Sequence, residues 1–182
     1  MRFDAVVIGC GRSGFAAAKT LLEKGLSVCV VSEGLRLGTD PSSPYAAEAE
    51  LSRFGATVLR GDRALSGEWS GRRLLAVRTE NLEEDAIAAD RFVLATGKFF
   101  SRGLAGDMKR IYEPVFGADV AYFLGRENWY DSDFFARQPF MDFGVKTDAS
   151  GRVLFGGVPA ENLWAVGRII ASGFAGADIS KI

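Results

Sequence analysis

Phe3-Asp4-Ala5-Val6-Val7-Ile8, then Gly9-Cys10-Gly11-Arg12-Ser13-Gly14, then Phe15-Ala16-Ala17-Ala18-Lys19-Thr20-Leu21-Leu22-Glu23 follow one another without a break. The first run is apolar and β-branched and reads as a buried strand, and the last is rich in Ala, Leu, Lys and Glu and reads as a helix. Between them lies a Gly-x-Gly-x-x-Gly turn. Its first glycine allows the tight strand-to-helix reversal, its second lets a pyrophosphate approach the backbone, and its third lets helix and strand pack closely. The N–H groups and dipole of a helix that starts here favour a phosphate.

Working outward, Lys24-Gly25 ends the helix. Leu26 to Val31 reads as a second strand, closing at Ser32-Glu33. Glu33 lies 24 residues after Gly9, near the place of the acid that bonds a ribose in such βαβ units, about 20 residues on. Strand, glycine turn, helix and acid together predict a nucleotide site, and the carboxylate favours free ribose hydroxyls over a 2′-phosphate.

Beyond this unit, Gly34 to Pro44 is loop composition and Tyr45 to Phe54 reads as a helix. Thr57 to Leu59 reads as a short strand. Arg63 to Trp69 and Arg72 to Thr79 read as a hairpin turning at Ser70-Gly71, with Ala86 to Ala89 as a third meander strand. Arg91 to Ala95 reads as a separate buried strand closing on Thr96-Gly97. From Lys98 to Pro139 loops and short helices are expected, then a hairpin over Val145 to Phe155 and a last strand at Leu163 to Val166. The predicted class is α/β: a Rossmann-like FAD/NAD(P)-binding domain with a central parallel sheet, helices and a small antiparallel meander. A single domain over 1–182 is expected.

Composition narrows the chemistry. The chain has 182 residues, 48% of them hydrophobic and 25% charged, with 22 basic against 23 acidic side chains. A packed core is possible, and no basic excess points to nucleic acid. There is no histidine, so a Ser-His-Asp or Cys-His hydrolase and any imidazole metal site are excluded. Cys10 and Cys29 fit neither a disulfide framework nor a zinc spacing. No metal site is expected. No apolar run approaches the roughly 20 residues of a membrane span, so direct membrane insertion is not expected. The N-terminus reads as neither signal peptide nor anchor, and a cytoplasmic setting is the plain reading.

Helix, short strand, meander and then Phe92-Val93-Leu94-Ala95-Thr96-Gly97, in place of further βαβ units, resembles the glutathione-reductase-like flavoproteins. That resemblance implies that Ala95, Thr96 and Gly97 pass near FAD and that the strand at Ala64-Leu65 offers backbone groups to adenine. It also implies that Asn162-Leu163-Trp164-Ala165-Val166-Gly167 is a second flavin-contact motif. The class carries Asp or Glu after that last glycine; here stands Arg168, placed to pair with pyrophosphate or to face water. The implied cofactor residues are Gly9, Gly11, Arg12, Ser13, Gly14, Ser32, Glu33, Ala64, Ala95, Thr96, Gly97, Gly167 and Arg168. No catalytic residue is assigned.

A closer resemblance joins Ala95 through Leu104, Glu113-Pro114 with Gly117, Gln138-Pro139-Phe140, Phe143-Gly144-Val145, Thr147-Asp148 and Asn162 through Gly167. Their order and spacing are similar to the B subunit of anaerobic glycerol-3-phosphate dehydrogenase, over roughly residues 1–38 and 90–175. That family implies a flavin-binding oxidoreductase subunit that passes electrons from glycerol 3-phosphate towards quinone. Its partners would be a catalytic FAD subunit and an iron–sulfur membrane subunit, which would place it at the inner face of the cell membrane. The family is described with FMN, whereas Glu33 and the glycine turn favour FAD. The chain is shorter than the family: a substrate-domain insert is expected to be missing near 34–45, and the closing helix after Gly167 is reduced. A non-catalytic flavin- or nucleotide-binding accessory module is the alternative, and an NAD domain ranks third. Lys98, Arg102, Lys109 and Arg110 read as a solvated cationic loop, with neutralisation of flavin negative charge or binding of a phosphate substrate as the other readings. Cys10 reads as a small residue beside phosphate, with a redox role as the alternative, Cys29 as core, Phe99 and Phe100 as core or as cover for the isoalloxazine, and Trp129, Tyr130, Phe134, Phe135 and Phe140 as core or a partner contact.

Overall fold

The computed structural model describes residues 1–34, 46–83 and 85–182; the expected loss of an insert near 34–45 therefore falls almost wholly outside the described residues. β1 (Arg2–Ile8) and β2 (Val28–Ser32) are parallel neighbours joined through α1 (Arg12–Glu23). All five residues of β2 are buried, the continuous apolar run of a parallel strand covered on both faces. Along β1, Val6 and Ile8 enter one core, while Ala5 and Val7 enter the other with Ala17, Ala18 and Leu21 of α1. This is the two-residue alternation of a strand. α1 buries Gly14, Ala17, Ala18, Leu21 and Leu22, one stripe at helical spacing. It starts within the glycine turn, earlier than the Phe15 read from composition. Gly25, at φ +80°, closes it by donating to the Leu22 carbonyl at 2.8 Å.

α2 (Ala46–Arg53) leads to β3 (Thr57–Arg60), which adds to β2 in parallel. β4 (Ala64–Ser70) and β5 (Arg73–Thr79) form the expected hairpin around Gly71. The reading of two strands over 86–89 and 91–95 is corrected: β6 (Ala86–Leu94) is one strand. Its first residues pair antiparallel with β5 and most of its length pairs parallel with β1. Asp90 and Arg91 interrupt the apolar pattern without interrupting the strand, because Asp90 pairs with Arg2 and Arg73 at the sheet surface.

In the segment after β6, β7 (Ala105–Gly106) pairs with β8 (Ile111–Tyr112), and β9 (Val120–Ala121) with β10 (Gly144–Val145). Three short 3₁₀ turns at Phe99–Ser101, Arg126–Asn128 and Pro139–Asp142 complete it, as the loop-and-short-helix reading predicts. The hairpin expected over 145–155 is reduced to a single bridge, Thr147 with Val153. β11 (Arg152–Phe155) instead pairs mainly with β12 (Val158–Ala165) around Gly156-Gly157, both at positive φ. β12 is therefore much longer than the strand read at 163–166. It lies parallel to β6, which gives the order β11-β12-β6-β1-β2-β3, with the β4–β5 hairpin branching from β6. After Gly167 come only two 3₁₀ turns, Gly167–Ile169 and Ile179–Lys181. Among the described residues no helix is long and apolar enough to cross a membrane.

Candidate functional site

Three parallel strands, β1, β2 and β6, end side by side, and the backbone stitches their ends together. Gly9 N–H donates to Val31 at 2.8 Å, Ala95 N–H to Ile8 at 2.8 Å, and Val166 N–H to Leu94 at 3.0 Å. In open α/β sheets the crevice beyond such carboxyl ends is where ligands bind. Here it is a cavity of about 1090 Å³, just above the roughly 300–1,000 Å³ of ligand pockets.

The glycine turn floors it. Gly9 has φ +94°, and a Cβ there would lie 2.6 Å from the Ala95 carbonyl oxygen. On Gly14 a Cβ would lie 2.0 Å from the Gly9 carbonyl oxygen, so α1 could not pack at this distance. At Gly11 the space within 4 Å is open, towards the cavity that Gly11 lines. Gly11 is also the N-cap of α1 and provides no side-chain cap. The first N–H groups of a twelve-residue helix thus stand without an intrahelical acceptor, next to Arg12 and with no acid in the first turn. This fits an anionic bridge such as a pyrophosphate. Gly167 (φ +74°) closes on the turn from the other side; a Cβ there would reach Ser13 Oγ at 2.1 Å.

At the far end, the Ser32 carbonyl accepts from Gly61 N–H at 2.7 Å, and Glu33 extends from the end of β2 into the cavity. Glu33 Oε1 takes a hydrogen bond from Arg102 Nη1 at 2.5 Å. Asp62 is buried and accepts from the Arg63 and Asn81 N–H groups at 2.8 and 3.0 Å. Ala64, the first residue of β4, lies beside them, and Thr96, after β6, keeps a buried Oγ1 with no hydrogen-bond partner among the described residues.

Of the residues read from sequence, Gly9, Gly11, Arg12, Ser13, Ser32, Glu33, Ala64, Ala95, Thr96, Gly97 and Arg168 line this cavity. Gly14 and Gly167 do not; they act through close approach. The cationic loop divides. Arg102 lines the cavity, whereas Lys98 turns its ammonium to the Met141 carbonyl. Burial holds Lys98 below the ordinary lysine range; Asp142 opposes this, and Arg168 and Arg137 add to it. Lys109 and Arg110 lie on a separate turn around Asp107. Phe99 lines the cavity and meets Phe140 edge-on at 6.0 Å, while Phe100 is 98% exposed. Phe134 and Phe135 are also exposed, against the core reading. Cys10 lines the cavity, and the Cys29 thiol is pushed up to about 12 by burial and then by Asp62. Sequence reasoning missed Asp62, whose signal was a Gly-Asp pair just after β3. No metal-binding cluster of His, Cys, Asp and Glu exists among the described residues.

The chain is 40% identical over 119 residues to the anaerobic glycerol-3-phosphate dehydrogenase B subunit of Vibrio cholerae, covering 64% of this chain and 27% of that protein. With the corresponding protein of Actinobacillus succinogenes identity is 39% over 134 residues, 71% of this chain and 31% of that protein. The chain thus spans between a quarter and a third of these relatives' length. Among solved structures, a ferredoxin reductase from Rhodopseudomonas palustris superposes with a TM-score of 0.46 at 28% identity, over 51% of this chain and 23% of that one. The FAD binding domain family matches residues 45–179, a segment that begins after the glycine turn and takes in Ala64, Thr96 and Gly167. With most of its length inside that match, the chain belongs to the FAD binding domain family.

Proposed function

We propose that residues 1–182 form one FAD-binding unit that serves as an oxidoreductase subunit of the anaerobic glycerol-3-phosphate dehydrogenase type. The observation that carries this is the crevice itself: an uncapped helix N-terminus at Gly11, open space at that glycine, and the Glu33 carboxylate at the end of β2, all on one cavity. The N–H groups at the start of α1, with Arg12 and Arg168, would hold the pyrophosphate, and Glu33 the ribose hydroxyls. Ala64 would meet adenine, and Ala95, Thr96 and Gly97 would run along the cofactor. When bound, FAD supplies an acceptor for two electrons. FAD is favoured over FMN because the Glu33 end has no use in a mononucleotide. The test is to unfold the purified protein, which is expected to be yellow, and identify the chromophore. FAD is expected; FMN alone, or no flavin after reconstitution, would overturn the assignment.

In this reading electrons from glycerol 3-phosphate pass towards quinone with a catalytic FAD subunit and an iron–sulfur membrane subunit. Membrane attachment comes through those partners. Two observations favour a second reading, an accessory module without turnover of its own. The carboxylates lining the cavity are engaged, Glu33 by Arg102 and Asp62 by two backbone N–H groups, and the chain has no histidine. Oxidising an alcohol carbon needs a base for the hydroxyl proton. The flavin-loaded chain alone is therefore expected to show no useful turnover of glycerol 3-phosphate with an artificial dye acceptor. Turnover that disappears in Lys98→Ala or Arg102→Ala, with both variants still fully loaded with flavin, would instead make the loop after Gly97 a working substrate site.

A further inference from the structure

Arg102 is one of two described non-glycine residues with positive φ, at +58°. An L-residue adopts that conformation only where its surroundings over-determine it, and here they do. The Lys98 carbonyl accepts from Ser101 N–H and Gly103 N–H, and the Phe99 carbonyl from Arg102 N–H. Gly103 packs so tightly that a Cβ would lie 2.1 Å from the Gly97 carbonyl oxygen. The loop from Gly97 to Gly103 is thus a closed turn after β6, and it aims the Arg102 side chain at Glu33, 69 residues away, after β2. In the sheet β1 lies between those two strands, so the ion pair spans the strand end that carries the glycine turn.

We infer that Arg102 is a positioning residue for the adenosine half of the dinucleotide: it fixes the Glu33 carboxylate at the ribose position before the cofactor arrives. This rests on the proposed FAD reading. A glutamate side chain ordered only on binding would lose its rotamer freedom at that moment, whereas one already held by a rigid loop gives a preorganised acceptor. Sharing is possible because a carboxylate has about four lone-pair sites on two oxygens. Arg102 Nη1 takes one on Oε1, and the ribose hydroxyls use others. The pair is largely exposed, at 69% and 36% of the two side chains, so its effect is modest and sensitive to salt.

The test measures dissociation constants of FAD and FMN, by flavin fluorescence, for the apo-forms of wild type, Arg102→Ala, Glu33→Gln and the double variant, at low and high salt. Arg102→Ala should weaken FAD about two- to fivefold at low salt, within the range of modest exposed ion pairs, and leave FMN unchanged. In the Glu33→Gln background the same substitution should have almost no further effect. Raising the salt should narrow the gap between wild type and Arg102→Ala. Arg102→Lys, which keeps the charge, should recover part of the loss. Additive losses, or equal losses for FAD and FMN, would overturn the role of Arg102 while leaving FAD binding intact. Wild type that takes up no FAD would overturn the cofactor reading and this inference together.

Discussion

Glu33 was legible because its place depends on counting: one strand, one glycine turn and one helix of ordinary length put an acid at the end of β2. Its partner was not. Arg102 sits in a stretch whose cations read as solvated, and only the left-handed backbone and the closed turn after Gly97 direct that side chain inward. The same limit hid Asp62, whose burial depends on Asn81 and the Arg63 backbone. For Glu33 the expectation is direct. Glu33→Ala should weaken FAD roughly ten- to hundredfold, because a hydrogen bond to a charged group contributes about 1.5–3 kcal/mol. Urea unfolding of the apo-protein should show little change, since the carboxylate is exposed and its ion pair is weak. Unchanged flavin affinity would remove Glu33 from the site.

Among elements, the first βαβ unit and the β4–β5 hairpin were legible because periodicity and turn chemistry agree there. The loop around Glu113 was not. Glu113 is only 1% exposed and accepts from the Val115, Phe116 and Ala118 N–H groups at 2.9, 2.7 and 3.5 Å. It ties Glu113-Pro114 and Gly117 into one fold of the chain. Burial raises its carboxyl above the ordinary 4.5, while those N–H groups and that of Gly117 pull the other way. A raised carboxyl holds its proton more tightly in the folded state. Stability contributed by this group must then fall as pH rises from about 4.5 towards the folded value, and level off above it. Glu113→Gln does not titrate, so the stability of wild type minus that of the variant should decline over that window. Denaturant melts across pH 4 to 8 measure it; a difference that rises with pH would mean that the backbone donors outweigh burial.

At the scale of the molecule, the class was legible and the branching was not. Two features concealed it: Asp90-Arg91 inside β6, and Pro159 and Asn162 inside β12. Asn162, which opens the stretch that resembles a flavin-contact motif, is buried. Its amide donates to the Leu74 and Asp90 carbonyls at 2.8 and 3.0 Å, and its oxygen accepts from Leu74 N–H at 2.9 Å. One side chain thereby joins β5, β6 and β12 where the sheet divides.

The continuity of β6 has a consequence for how the molecule opens. One strand belongs to both the meander and the parallel sheet, and Asn162 bridges the fork, so the two parts are expected to open together. Amide protons of Val77 in the meander and Val93 beneath the cofactor crevice should therefore exchange with deuterium through the same global opening. Their protection should fall in parallel as urea is added. In Asn162→Ala the fork loses its clip, and Val77 should begin to exchange through a smaller, local opening while Val93 stays protected. Val77 exchanging early in the wild type would mean that the meander breathes independently of the sheet that carries the site.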